Sequence, residues 1–128
     1  MTCGRFTGSN PVAPTMNFDS AVFYTNDLGK VLDFYKDILG ITLEFKDEER
    51  YLSFIFPNGA RLGIKRKTTD REIPGAQTVI FSVEKDIEKL FDDLKNKVPV
   101  YKELLTYEWG KNFSILDPDG NKVEFIQR

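Results

Sequence analysis

The side chains able to do chemistry in this chain are carboxylates, lysines, arginines and aromatics, because it has no histidine and a single cysteine, Cys3. Without imidazole there is neither the usual acid/base near neutral pH nor the commonest metal ligand. Histidine-based triads and histidine-containing zinc sites are excluded, and one cysteine supplies neither a thiolate zinc site nor an internal disulfide. Any metal would have to be held by oxygens of Asp, Glu, Gln or the main chain, which calls for several clustered carboxylates. Asp47-Glu48-Glu49 reads most simply as a solvated turn, and Lys65-Arg66-Lys67 as a solvated linker end, with anion recognition as the minority reading. Tyr107, Trp109 and Phe113 offer either flat stacking surfaces at a pocket mouth or core material beside strands.

At 128 residues, 41% hydrophobic and 30% charged, with eleven Phe and five Tyr, the chain has the size and apolar content of one soluble domain. Its formal charge of −2 sets up no strong field for nucleic acid or an anionic membrane. No apolar run reaches the ~18 residues that span a bilayer, and the start lacks a charged segment followed by an apolar one. The expectation is a cytoplasmic protein with neither nucleic-acid nor membrane partners. Met1 to Thr15 holds two Pro and two Gly without periodicity and reads as a flexible leader outside the fold. Gly8-Ser9-Asn10-Pro11 and Ala13-Pro14 can be read from GGTTCGAATCC and GCACCA, which look like the T-loop and 3′ end of a transfer-RNA gene. That reading puts the native start at Met16; a vector-derived tail and a genuine short arm are the competing ones.

Periodicity supplies the elements. Phe18 to Thr25 reads as a strand, Asp27 as an N-cap, and Leu28, Val31, Leu32, Tyr35, Ile38 and Leu39 as the apolar stripe of a helix that Gly40 ends. Strands follow at Ile41–Phe45, Tyr51–Phe56 and Ala60–Ile64, the last two joined by the turn Pro57-Asn58-Gly59. Lys65 to Ala76 is a polar linker. The pattern then recurs: a strand at Gln77–Val83, a helix opened by Asp86 with Ile87, Leu90, Phe91 and Leu94 on its stripe, and strands near Val100–Leu105, Lys111–Leu116 and Lys122–Gln127.

Residues 27–41 align without gaps on residues 86–100, with Asp27, Lys30, Asp33 and Lys36 matched by Asp86, Lys89, Asp92 and Lys95. The Asn58-Gly59 turn recurs as Asp119-Gly120. Two copies of one βαβββ module, about 16–67 and 75–128, is the economical explanation, because chance similarity of two amphipathic helices does not account for the shared order of caps, turns and strands.

Three stretches carry a family resemblance: Tyr24-Thr25-Asn26-Asp27 followed by Phe34-Tyr35-Lys36-Asp37-Ile38-Leu39-Gly40, Trp109-Gly110 before a strand, and Asp117-Pro118-Asp119-Gly120-Asn121-Lys122-Val123-Glu124-Phe125. Together they resemble the vicinal oxygen chelate superfamily, which includes glyoxalase I, extradiol dioxygenases, fosfomycin-resistance enzymes and bleomycin-resistance proteins. The resemblance implies an α+β fold in which two tandem βαβββ modules form a curved mixed sheet around a pocket, helices on the convex side, commonly as a homodimer. Strand parity then sends Ala21, Phe23, Leu62, Ile64, Val79, Phe81, Val83, Val123 and Phe125 under the helices. The opposite parity, together with Trp109, gives the pocket residues Ser20, Tyr24, Arg61, Gly63, Thr78, Ser82 and Glu124, alongside Val22, Ile80 and Ile126.

In that family the metal ligands fall on the first and last strand of each module, here about Ser20, Gly63, Thr78 and Glu124. Only Glu124 brings a carboxylate, and even with Gln77 in place of Thr78 the set is poor for Zn²⁺, Fe²⁺ or Ni²⁺. The resemblance therefore implies the fold without the family's metal chemistry, and no cofactor is expected. Glu124, the sole catalytic candidate, reads as a solvated carboxylate or a partner of Arg61. In a partly desolvated pocket it would instead anchor a cation or serve as a general base. The leading expectation is a metal-independent protein that binds a small organic molecule, similar in character to bleomycin-resistance proteins. A diverged lyase, isomerase or dioxygenase using Glu124, with or without an oxygen-bound Mg²⁺ or Mn²⁺, is the alternative; a dimeric scaffold without a cavity is the third.

Overall fold

The computed structural model describes residues 14–128; the leader expected over residues 1–15 therefore lies almost wholly outside the described residues. The order is β1 (Ser20–Thr25), α1 (Leu28–Leu32) continuing as a π-helical segment (Asp33–Ile38), β2 (Thr42–Asp47), β3 (Tyr51–Ile55) and β4 (Arg61–Arg66). The second set is β5 (Thr78–Ser82), α2 (Ile87–Leu94), β6 (Val100–Tyr107), β7 (Gly110–Leu116) and β8 (Lys122–Gln127). Each set makes a four-stranded mixed sheet, ordered β1-β4-β3-β2 and β5-β8-β7-β6, in which the first strand pairs parallel with the last. This is the expected pair of βαβββ modules. No helix of the described residues is long and apolar enough to cross a membrane.

The duplication holds at the level of register. Ser53 pairs with Gly63 and Tyr51 with Lys65 in the first sheet; Ser114 pairs with Glu124 and Asn112 with Ile126 at the same places in the second. Both second strands carry an irregularity, between Leu43 and Phe45 and between Val100 and Lys102, so that Phe45 faces Ser53 and Lys102 faces Ser114.

Parity follows the hydrophobic pattern. Phe23, Leu52, Phe54, Leu62 and Ile64 of the first sheet, and Phe113, Ile115, Val123 and Phe125 of the second, enter one core with Val31, Phe34 and Tyr35 of the first helix and Ile87 and Leu94 of α2. Ala21 is exposed despite its parity, and Phe18 lies outside β1 and is exposed. Phe113 is fully buried, stacked on Phe125 at 4.8 Å, so it belongs to the core and not to a pocket mouth.

The two helix starts differ. Asp27 caps α1, its Oδ1 accepting from Lys30 N–H at 3.1 Å. Asp86 makes no such bond: its backbone is left-handed at φ 62°, and Gln127 Oε1 accepts from Ile87 N–H in its place. The first helix ends as Gly40 turns left-handed at φ 75°, allowing Ile41 N–H to reach Tyr35 O.

Candidate functional site

Ser20, Tyr24, Arg61 and Gly63 lie on β1 and β4 of the first sheet, on the face turned away from the core, with Ser20 beside Arg61 and Val22 beside Gly63. Thr78, Ser82 and Glu124 take the equivalent face of the second sheet, where Ile80 pairs with Glu124 and Ser82 with Ile126. Trp109 sits in the turn between β6 and β7, stacked on Tyr107 at 5.4 Å with the rings 5° apart. Among the described residues no hydrogen bond or ion pair links the first group to the second.

On the first sheet the polar groups are consumed by one another. Glu44 accepts from Ser53 Oγ at 2.7 Å and from Arg61 Nε at 3.0 Å, and these bonds hold its carboxyl below the usual range, Ser53 first and Arg61 second. Arg61 thus pairs with Glu44, and at 3.9 Å with Asp19, while its suggested partner Glu124 lies on the other sheet. Lys65 likewise is no free linker end, since its Nζ donates to both Glu72 oxygens at 2.8 Å.

The second sheet is arranged differently. Glu124, 17% exposed at its side chain, accepts from Asn112 Nδ2 at 3.1 Å and lies 3.7 Å from Lys122 Nζ. Sequence parity passed over two neighbours on this face. Asn112 and Ser114 are 8% and 1% exposed, and Asn112 Oδ1 and Ser114 Oγ have no hydrogen-bond partner. The available signal was that both share a face with Glu124 across β7 and β8, two residues apart on the strand. Around them stand exposed Ile80, Leu105, Tyr107 and Trp109. A separate hollow of ≈ 210 Å³ lies at the start of α1 between Asn26–Gly29, Glu49 and Arg66, lined by none of the expected pocket residues and touching the two charge runs at Glu49 and Arg66.

The positions of the family's metal ligands do not fit a metal. Ser20 and Thr78 bring hydroxyls, Gly63 brings no donor, and a side chain there would run into Tyr51 Oη. Glu124 is already engaged by Asn112 and Lys122. Among the described residues no three His, Cys, Asp or Glu side chains are grouped so as to hold an ion.

Residues 17–125 match the family model of the Glyoxalase/Bleomycin resistance protein/Dioxygenase superfamily. The chain belongs to that superfamily. Among solved structures it resembles a lactoylglutathione lyase from Agrobacterium tumefaciens, with a TM-score of 0.72 and 19% identity over 89% of this chain and 95% of that one. It also resembles Oxidase ChaP-H2, with a TM-score of 0.73 and 20% identity over 90% and 95% of the two chains. A glyoxalase/bleomycin resistance protein/dioxygenase from Nocardioides is similar with a TM-score of 0.69 and 20% identity over 91% and 86%. At such identities the likeness is one of fold, and a fold shared by many activities assigns none of them. No curated protein matches the sequence.

Proposed function

We propose that this member of the glyoxalase superfamily binds a small organic molecule without a metal, on the open faces of its sheets, and that it does so as a homodimer. The observation that carries the reading is the second sheet's outer face. Ile80, Leu105, Tyr107 and Trp109, between 38% and 56% exposed, stand over a polar floor, a mixture suited to an apolar or aromatic body with a few polar groups. The stacked Tyr107 and Trp109 rings provide a flat wall. The poor donor set at Ser20, Gly63 and Thr78, two hydroxyls and no third side chain, supports binding without the superfamily's metal chemistry, and Glu124, held by Asn112, serves as part of the floor.

Native mass spectrometry of protein purified without chelator, run beside metal analysis, tests the reading. The expected species is a metal-free dimer, with any co-purifying organic molecule visible as added mass. Stoichiometric Ni, Zn, Fe or Mn would overturn it in favour of an enzyme.

A further inference from the structure

The internal duplication provides a comparison within one chain. At the centre of each sheet lies a buried serine, Ser53 at 3% exposure and Ser114 at 1%. In the first module the irregular residue of β2 is Glu44, which takes up the Ser53 hydroxyl and is itself clamped by Arg61. In the second module the same irregularity places Tyr101 where Glu44 stands, and Lys122 where Arg61 stands. Lys122 Nζ then lies 5.5 Å over the Tyr101 ring, and Glu124, directly opposite Ser114, accepts from Asn112 and not from the Ser114 hydroxyl. The first face satisfies itself; the second leaves Ser114 Oγ and Asn112 Oδ1 unpartnered, and a buried polar atom without a partner is costly.

We propose that Asn112 and Ser114 form a recognition site for a neutral amide or lactam group on an aromatic or apolar ligand; this rests on the small-molecule reading above. The free capacity is one acceptor at Asn112 Oδ1 and a hydroxyl, able to donate, at Ser114. An N–H beside a C=O matches both, the N–H donating to Asn112 Oδ1 and the carbonyl accepting from Ser114 Oγ. A carboxylate, though Lys102 and Lys122 share the face, is disfavoured at this pair because it has no hydrogen to donate to Asn112 Oδ1 and would lie beside the Glu124 carboxylate. An ammonium is disfavoured because Lys102 and Lys122 share the face with the single Glu124, already engaged by Asn112. Leu105, directly opposite Asn112, and the Tyr107–Trp109 stack receive the ligand's body. Entry displaces the Lys102 side chain, which starts opposite Ser114 and donates to Tyr107 Oη at an exposed contact.

Benzamide, benzoate and benzylammonium, equal in bulk and different in the polar group, test this by ¹H–¹⁵N correlation spectra of the full chain. Benzamide is expected to move the β7 amides, the Asn112 side-chain amide and the Trp109 indole resonance, and to bind more tightly than the other two. Ser114→Ala and the near-isosteric Ser114→Cys each weaken it about fivefold, the loss of one neutral hydrogen bond, while Ser53→Ala, on the other sheet, leaves it unchanged. The spectra themselves show whether each variant is folded. Equal binding of all three probes overturns amide recognition and leaves the small-molecule reading standing. Preference for benzylammonium overturns it in favour of Glu124 as a cationic anchor. Silence at these resonances with every probe removes both readings of the face.

Discussion

At the scale of single residues, Asp117 is a buried carboxylate that gathers four hydrogen bonds. Its carboxylate accepts from Tyr35 Oη at 2.7 Å, from the backbone N–H groups of Asp119 and Asn121, and from Asn121 Nδ2. Tyr35 is fully buried, and burial, then the charge of Asp117, holds its phenol far above the ordinary tyrosine range. Tyr35→Phe removes one charge-assisted bond and is expected to cost about 1.5–3 kcal/mol in urea unfolding. The sign of the pH effect is fixed by the direction of the shift. Below about pH 10 the phenol is protonated whether the chain is folded or not. Above it only the unfolded chain loses the proton, so stability falls as pH rises. The wild type should therefore lose stability above about pH 10, with a flatter alkaline limb for Tyr35→Phe; parallel curves would show that Tyr35 does not control that limb. The sequence exposed both partners, one in each of two motifs, but the bond between them spans 82 residues and no local pattern announces it.

At the scale of elements, local signals placed strands and turns within a few residues, because a strand's parity and an Asn-Gly or Asp-Gly turn are written in adjacent positions. They failed where a distant group decides the conformation. Asp86 occupies the position of the capping Asp27 yet bends left-handed, since Gln127 from the last strand has taken over the bond to Ile87 N–H. The π winding of Asp33–Ile38 likewise has no sequence signature that the apolar stripe reveals. The candidate site divided in the same manner: Glu124 was visible from its turn motif, whereas Asn112 and Ser114 matter for what fails to meet them, which only the register and bulge of β6 determine. The polar linker carries a tie of its own that no local pattern announces. Glu72 accepts from Lys65 Nζ, Thr68 N–H and Thr68 Oγ1, tying the segment to β4, and the Lys65 and Thr68 bonds lower its carboxyl to about 2. A depressed carboxyl stabilises above its unfolded value and loses that contribution as pH falls toward the folded one. Hydrogen exchange at the Thr68 amide should thus be slowed at neutral pH, and Glu72→Ala, which leaves no side-chain acceptor, should remove that protection. Relative to the variant, wild-type protection should fade between about pH 4.5 and 2; equal protection in both proteins at neutral pH would leave Glu72 a surface charge.

At the scale of the whole molecule, the two modules are separate as sheets and joined as a core. Phe81 of β5 touches Phe56 of the first module at 5.1 Å between ring centroids and Phe125 of its own sheet at 5.8 Å. Tyr35 crosses to Asp117, and Asn26 N–H donates to Asp119 Oδ1. The Gly75 backbone, left-handed at φ 82°, lies so close to Asp119 O that a side chain would collide with it. A module alone would expose the face that these contacts cover, so the unit of stability is the pair. Trp109, the sole tryptophan, reports the second module by fluorescence, and slow amide exchange in β3 reports the first. In urea the two reports should give one midpoint. Phe81→Ala, cutting a partly buried ring from the junction, is expected to cost about 2–4 kcal/mol and to shift both reports together, because the cavity lies between the modules. A shift confined to Trp109, with β3 unfolding at its old midpoint, would mean that each sheet is stable on its own side of the junction. The duplication would then have preserved two independent units, and ligand binding on the second sheet would leave the stability of the first unchanged.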